Sequence, residues 1–226
     1  DDIKYNALAH FASQNRAVTR EDYIARIYAM PAKYGSIAKA YLDKDEQYWI
    51  QTVGTHEIKN PLAINLYALA YNDNKNYVPL TPLAKKNMQT YLSQYRLLTD
   101  GVNIRDAFII NIGVEFEIIL LPNYNGTVVL NNIIEELKDY FNTDNYQINQ
   151  PILLNNVKNL IDGIDGVQTV KKLQLVNKTG IENGYSEYAY DINGATINDI
   201  LYPSLDPSIF ELKFPNTDIQ GRIVTN

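Results

Sequence analysis

His10 and His56 are the only histidines of this chain. Neither stands in an HExxH or comparable ligand spacing, so a surface or core role is the expected one and no metal is expected. Carboxylates recur in pairs at Glu115/Glu117, Glu135/Glu136 and Asp162/Asp165. Glycoside hydrolysis needs such a pair facing across a cleft. The first pair shares one strand face, the second decorates a helix, and the third brackets turn glycines, so all three read as structural. Asp43, Asp45 and Glu46 lack the glycine and the spaced bidentate glutamate of a calcium loop. Ser204 and Ser208 sit beside prolines and not at a nucleophile elbow, and the phosphate-cradling glycine motifs are missing. With no cysteine there is no thiolate nucleophile or ligand. No catalytic residue, cofactor or small-molecule substrate is expected.

The elements that would position such groups are those of an ordinary globular chain. The 226 residues suit one large or two small domains. A hydrophobic share of 46% with 20% charged residues allows a buried core. The formal net charge of -6, with basic residues scattered apart from Lys85-Lys86 and Lys171-Lys172, argues against a phosphate-binding face. No apolar run reaches the roughly 20 residues that span a bilayer, and the start Asp1-Asp2-Ile3-Lys4 has no basic leader character. A soluble chain without membrane insertion is expected. Because Met does not open it, it reads as part of something longer. Eighteen tyrosines accompany one tryptophan. They fit interface surfaces that are apolar in body and polar at the tip, and equally strand propensity in an AT-rich genome.

Thr19, followed by Glu21 and Asp22, caps a helix that carries Tyr23, Ile24, Ile27 and Tyr28 and stops at Pro31. Ile37 to Leu42 and Leu62 to Tyr71 read as strands, separated by a loop with Trp49, Gly54 and His56. Thr81-Pro82 opens a helix that ends near Arg96. Residues 102 to 121 give one or two strands with a polar break at Asn111–Gly113, and Val114, Phe116, Ile118 and Leu120 share a face. A helical stripe follows from Leu130 to Phe141, then a second helix after Pro151 and a strand from Val167 to Val176. The fold class expected is α+β, with two small sheet-plus-helix sandwich units of ferredoxin-like flavour. Opening helices fill 1–34, a first unit 35–121, and a second unit 112–180 that shares the long strand. Residues 181–226 form an extended docking tail. Ile209, Phe210, Leu212 and Phe214 are too apolar to hang in water, so the tail either closes its own domain or engages a neighbour. Deleting 203–226 is therefore expected to impair dimerisation or partner binding more than folding.

Three stretches carry a resemblance. Ser13-Gln14-Asn15-Arg16-Ala17-Val18-Thr19-Arg20-Glu21-Asp22-Tyr23 is similar to an NRAVT-x-x-DY segment. Pro151 to Leu154, with Leu160-Ile161-Asp162-Gly163-Ile164-Asp165-Gly166-Val167, is similar to a helix and its turn into a strand. The third runs from Pro203-Ser204-Leu205-Asp206-Pro207 through Phe214-Pro215 to Gly221-Arg222. In this order they resemble the baseplate J-like wedge family of T-even-type contractile-tailed phages, of the gene product six type, over its C-terminal half. That resemblance implies a virion structural protein of the tail baseplate, assembled in the host cytoplasm. It would form a homodimer and join other baseplate wedge proteins in a ring that couples receptor engagement to sheath contraction. Assembly residues implied by the matched stretches are Asn15, Arg16, Asp22, Tyr23, Asp206, Pro207, Ile209, Phe210, Phe214 and Arg222. The alternative class is a carbohydrate-binding or hydrolytic tail module, which a concave cluster of exposed tyrosines with converging carboxylates would favour.

Overall fold

The computed structural model describes residues 17, 19–44, 63–96 and 101–225. His10, Asn15, Arg16, Asp45, Glu46, Trp49, Gly54 and His56 lie outside them. The described residues fall into two compact α+β units, each with its own core. One gathers the residues up to Tyr71 and Val78–Asp106, and the other Asn72–Tyr77 and the residues from Ala107 onward.

The first unit holds α1 (Arg20–Tyr28), β1 (Lys39–Lys44), β2 (Ala63–Tyr71), α2 (Pro82–Leu92) and β4 (Gly101–Asp106). The three-residue β3 (Tyr77–Pro79) begins at its boundary and had no periodicity to betray it. Helix α1 starts where a reciprocal cap satisfies two otherwise unpaired backbone donors. The Asp22 N–H donates to Thr19 Oγ1 at 3.2 Å, and the Thr19 N–H donates to Asp22 Oδ2 at 2.9 Å. Helix α2 starts at Thr81 with Pro82 in its first turn. Strand β2 is central, antiparallel to β1 and parallel to β4. Tyr23 and Ile27, one turn apart, share a core with Leu42, Leu66, Met88, Leu92 and Val102.

The second unit is built on β5 (Phe108–Leu120), a strand of 13 residues. Its alternation buries Val114, Phe116 and Ile118 and turns Glu115 and Glu117 to the other face. Contrary to the sequence expectation, Asn111–Gly113 does not break it, and the strand does not belong to the first unit, which ends at Asp106 instead of 121. Helices α3 (Gly126–Tyr140) and α4 (Leu154–Asp162) present Val129, Ile133, Leu137 and Val157, Ile161 to its core. Strand β7 (Val167–Asn177) pairs antiparallel along one edge of β5. A small sheet joins β6 (Ile152–Leu153), β8 (Thr196–Ile197) and β9 (Ile200–Leu201), after the single turn α5 (Ile192–Ala195). Asn198 and Asp199, both with positive φ, make its two-residue hairpin turn.

The extended tail resolves the question its apolar residues posed. Strand β10 (Ser208–Glu211) pairs parallel with Phe108–Asn111, and β11 (Ile219–Ile223) pairs parallel with Val114–Ile118, separated by the single turn α6 (Pro215–Asp218). The Phe108 N–H donates to the Pro207 carbonyl, and the Ile118 carbonyl accepts from the Val224 N–H. The Asn111 carbonyl instead accepts from Lys178, on the β7 side. Backbone groups of successive strand residues point to opposite edges, so both C-terminal strands occupy the edge opposite β7. The tail is thus half of the sheet of its own unit, not an appendage.

Two glycines make this closure possible. A Cβ on Gly113 would come 3.0 Å from the Asp218 carbonyl oxygen at the base of α6. One on Gly221 would run into the Phe116 ring, which lies across the β5–β11 pair. Gly221→Ala is accordingly expected to destabilise the second unit by about 1–3 kcal/mol through overpacking, read as a lowered urea midpoint; an unchanged midpoint would mean that the ring has room to turn.

Candidate assembly surface

The sequence-predicted residues divide by burial. Tyr23, Ile209 and Phe210 are almost wholly buried, and Pro207 is buried with its carbonyl taken by Phe108. Tyr23 and Phe210 belong to the cores of the two units, and all four are covered within the chain itself. Asp22 is exposed but spent on the helix cap. Asp206 is exposed in the turn before β10, its carbonyl accepting from Ser204 Oγ at 2.6 Å. Phe214 is 39% exposed and meets Tyr185 edge to face at 5.3 Å. Arg222 stands out from β11 and reaches Glu117 Oε1 at 2.5 Å.

Under the tail lies a polar network that sequence reasoning missed. Glu211 is 1% exposed, and its two oxygens accept from the Tyr77 N–H at 2.6 Å and Asn111 Nδ2 at 2.7 Å. Asn111, fully buried, accepts the Ser186 N–H at 2.7 Å on its other amide atom. Ser208 Oγ accepts from the Ser204 N–H, and the Asn149 side chain accepts from the Ser208 N–H. Burial pushes the Glu211 carboxyl above its ordinary range, although both donors pull the other way. Asp218, also buried, accepts from the Tyr185 hydroxyl at 2.5 Å and from the Phe214 N–H at 2.9 Å. Burial first, and then that hydrogen bond, push the Tyr185 hydroxyl up to about 12. Among the described residues no buried side-chain nitrogen or oxygen lacks a partner, so these groups cross-brace the tail. The one visible hint was a polar Asn within an apolar run.

Around β11, the face of the sheet away from the helices is polar. Lys172, Glu117 and Arg222 stand side by side across β7, β5 and β11, and Gln174, Glu115 and Gln220 form the next row. A depression of about 310 Å³ is lined by Glu115, Glu117, Lys172, Gln220 and Arg222. No tyrosine lines it. The hydrogen bond from Arg222, ahead of its charge, holds the Glu117 carboxyl below the usual range. Arg222→Gln should move Glu117 back up toward an ordinary carboxylate, measured by NMR titration of its side-chain carboxyl; an unmoved titration would show that the pair is not formed. Among the described residues no group of three or more metal-ligating side chains is present, nor a helix long and apolar enough to cross a membrane.

Exposed apolar residues of the second unit include one group on the small sheet and another at the start of α3. Leu153, Ile200 and Ile197 are direct cross-strand partners and so share one face of the small sheet, with Leu205 fully exposed further along the chain. Leu121, Tyr124, Val128 and Ile223 are exposed around the start of α3, where Ile223 lies against Gly126.

No family model and no curated protein matches this sequence. The fold does have a solved relative. A chain of the anti-feeding prophage baseplate, described by cryo-electron microscopy with 6-fold symmetry, superposes with a TM-score of 0.58 at 13% identity. The likeness covers 93% of this chain and 41% of that one, so the protein spans about two fifths of the length of its structural relative.

Proposed function

We propose that this protein is a structural subunit of a contractile-tail baseplate, of the wedge type. It dimerises and joins other wedge proteins into a ring that couples receptor engagement to sheath contraction, and it has no catalytic role. The observation that carries this reading is the extent of the fold likeness to the baseplate chain, which takes in 93% of this chain. The wedge resemblance of the three sequence stretches points the same way. The physical character of the chain suits the task. Among the described residues every buried side-chain nitrogen and oxygen has a partner, and exposed apolar residues are spread over several elements, as a subunit held by several neighbours requires. A ring that switches needs interfaces able to re-pack between two arrangements. Nucleic acid, membrane and small-molecule ligands have no part in the reading.

Co-expression with the products of neighbouring tail genes tests it. A subcomplex of fixed stoichiometry that survives size exclusion is expected. Failure to retain any of them, together with turnover of a glycan by the purified chain, would replace the reading with a carbohydrate-active tail module.

A further inference from the structure

The two edges of the second sheet are treated differently. Along β7 the register shifts twice against β5, leaving Lys171 and Gln168 as extra, bulged residues. A bulged, lysine-bearing edge resists pairing with another chain. On the opposite edge β11 runs without a register shift. The Val224 N–H bonds toward β5, so the alternation of the strand turns the backbones of Arg222 and Gln220 inward and those of Gly221 and Ile223 outward. No described segment pairs with that outer edge.

We propose that the outer edge of β11 pairs antiparallel with β11 of a second copy of this chain, about a two-fold axis at Gly221. The inference deepens the self-association in the proposed function and rests on that reading. What identifies the occupant is the self-complementarity of the register. With Gly221 opposite Gly221, Ile223 falls opposite Ile219 on the helix side, apolar on apolar. On the polar side Gln220 falls opposite Arg222. Gln220 is itself paired with Glu115 on β5, so each Arg222 arrives beside the row that carries its partner's Glu115 carboxylate. Each Gly221 exchanges both its backbone hydrogen bonds with its counterpart, and each Ile223 N–H meets an Ile219 carbonyl. A five-residue strand pair alone falls short of the roughly 1,000 Å² of a stable interface. Ile223, 41% exposed and lying against Gly126 at the start of α3, adds apolar area to the strand pair.

The absence of cysteine from the sequence makes the register directly testable. Gln220→Cys and Arg222→Cys occupy directly opposed positions of the pair, where the side chains approach closely. An oxidised equimolar mixture of the two intact single variants is expected to give at least several-fold more disulfide dimer than either variant alone. Ile223→Pro removes an outward N–H, which an edge strand tolerates, together with a side chain that is 41% exposed. It is expected to convert the dimer to monomer in light scattering with little change in thermal unfolding. Cross-linking in the mixture no greater than in the single variants overturns the proposal, as does a dimer that persists in a folded Ile223→Pro chain. Should a cysteine variant not fold, the Ile223→Pro result decides. A chain that stays monomeric at high concentration yet captures neighbouring tail proteins sinks this pairing while leaving the baseplate reading in place.

Discussion

Deleting residues 203–226 is expected to abolish the cooperative fold of the second unit, and not merely its associations. The deletion removes β10 and β11, and with them every strand on one edge of β5. Phe210, Leu212 and Ile219 leave the core, and the buried Ile209 goes with them. At roughly 1.5–3 kcal/mol for each buried side chain, about 6–12 kcal/mol is lost, comparable with the roughly 5–15 kcal/mol that holds a whole domain together. Hydrogen exchange of β5 and β7 amides in the truncated chain is the appropriate measurement, because the first unit has its own core and can mask a global readout. Retained protection in β5 would contradict the closure described above. The order of effects is thus the reverse of what the apolar tail suggests when read only as a sequence.

Replacing Glu211 by alanine is the next largest expected effect. Alanine removes the acceptors of the Tyr77 N–H and Asn111 Nδ2 at once. A buried donor deprived of its acceptor costs about 1–3 kcal/mol, so a loss of about 2–6 kcal/mol should appear in urea denaturation. The pH dependence carries a sign of its own. Because burial raises the Glu211 carboxyl above its unfolded value, its contribution is complete below the ordinary carboxylate range and is lost as pH rises through the raised value. Glu117 acts oppositely: with its carboxyl lowered, its contribution holds above the ordinary range and fades as pH falls through the lowered value. Comparing wild type with Glu211→Gln separates the two, since Glu117 is common to both. The stability difference, wild type minus variant, should shrink as pH rises from the ordinary carboxylate range. A difference that grows instead would mean that the two donors outweigh burial.

Much of the local structure is written in short-range chemistry. Thr19 with Asp22, and Thr81 with Pro82, fix helix starts because a capping oxygen or a preset φ acts within one turn. The alternation of Val114, Phe116 and Ile118 with Glu115 and Glu117 fixes the faces of β5, because side chains on a strand alternate whatever lies beyond it. That is why the α+β class, most of the helices and the longer strands could be read directly. The helix end predicted near Arg96 falls instead at Leu92, where no glycine or proline marked a stop.

The assembly residues were less legible, for the reason that apolar character says a side chain must be covered and not by what. Ile209 and Phe210 looked like an interface and proved to be core. Asn111 looked like a break, yet a fully buried amide with both ends bonded is compatible with an unbroken strand. Its partners, Glu211 and Ser186, are far away in sequence, and no local rule joins them. The sequence by itself determined where helices and strands begin, which faces are apolar, and that reactive histidine and thiol chemistry is scarce. Tertiary structure alone decided that the C-terminal segment supplies parallel strands to β5, that Gly221 yields its space to Phe116, and that among the described residues no strand pairs with the outer edge of β11. Pairing between distant strands is selected by the total fit of a core, and that fit is a property of the folded whole, beyond the reach of any window of residues.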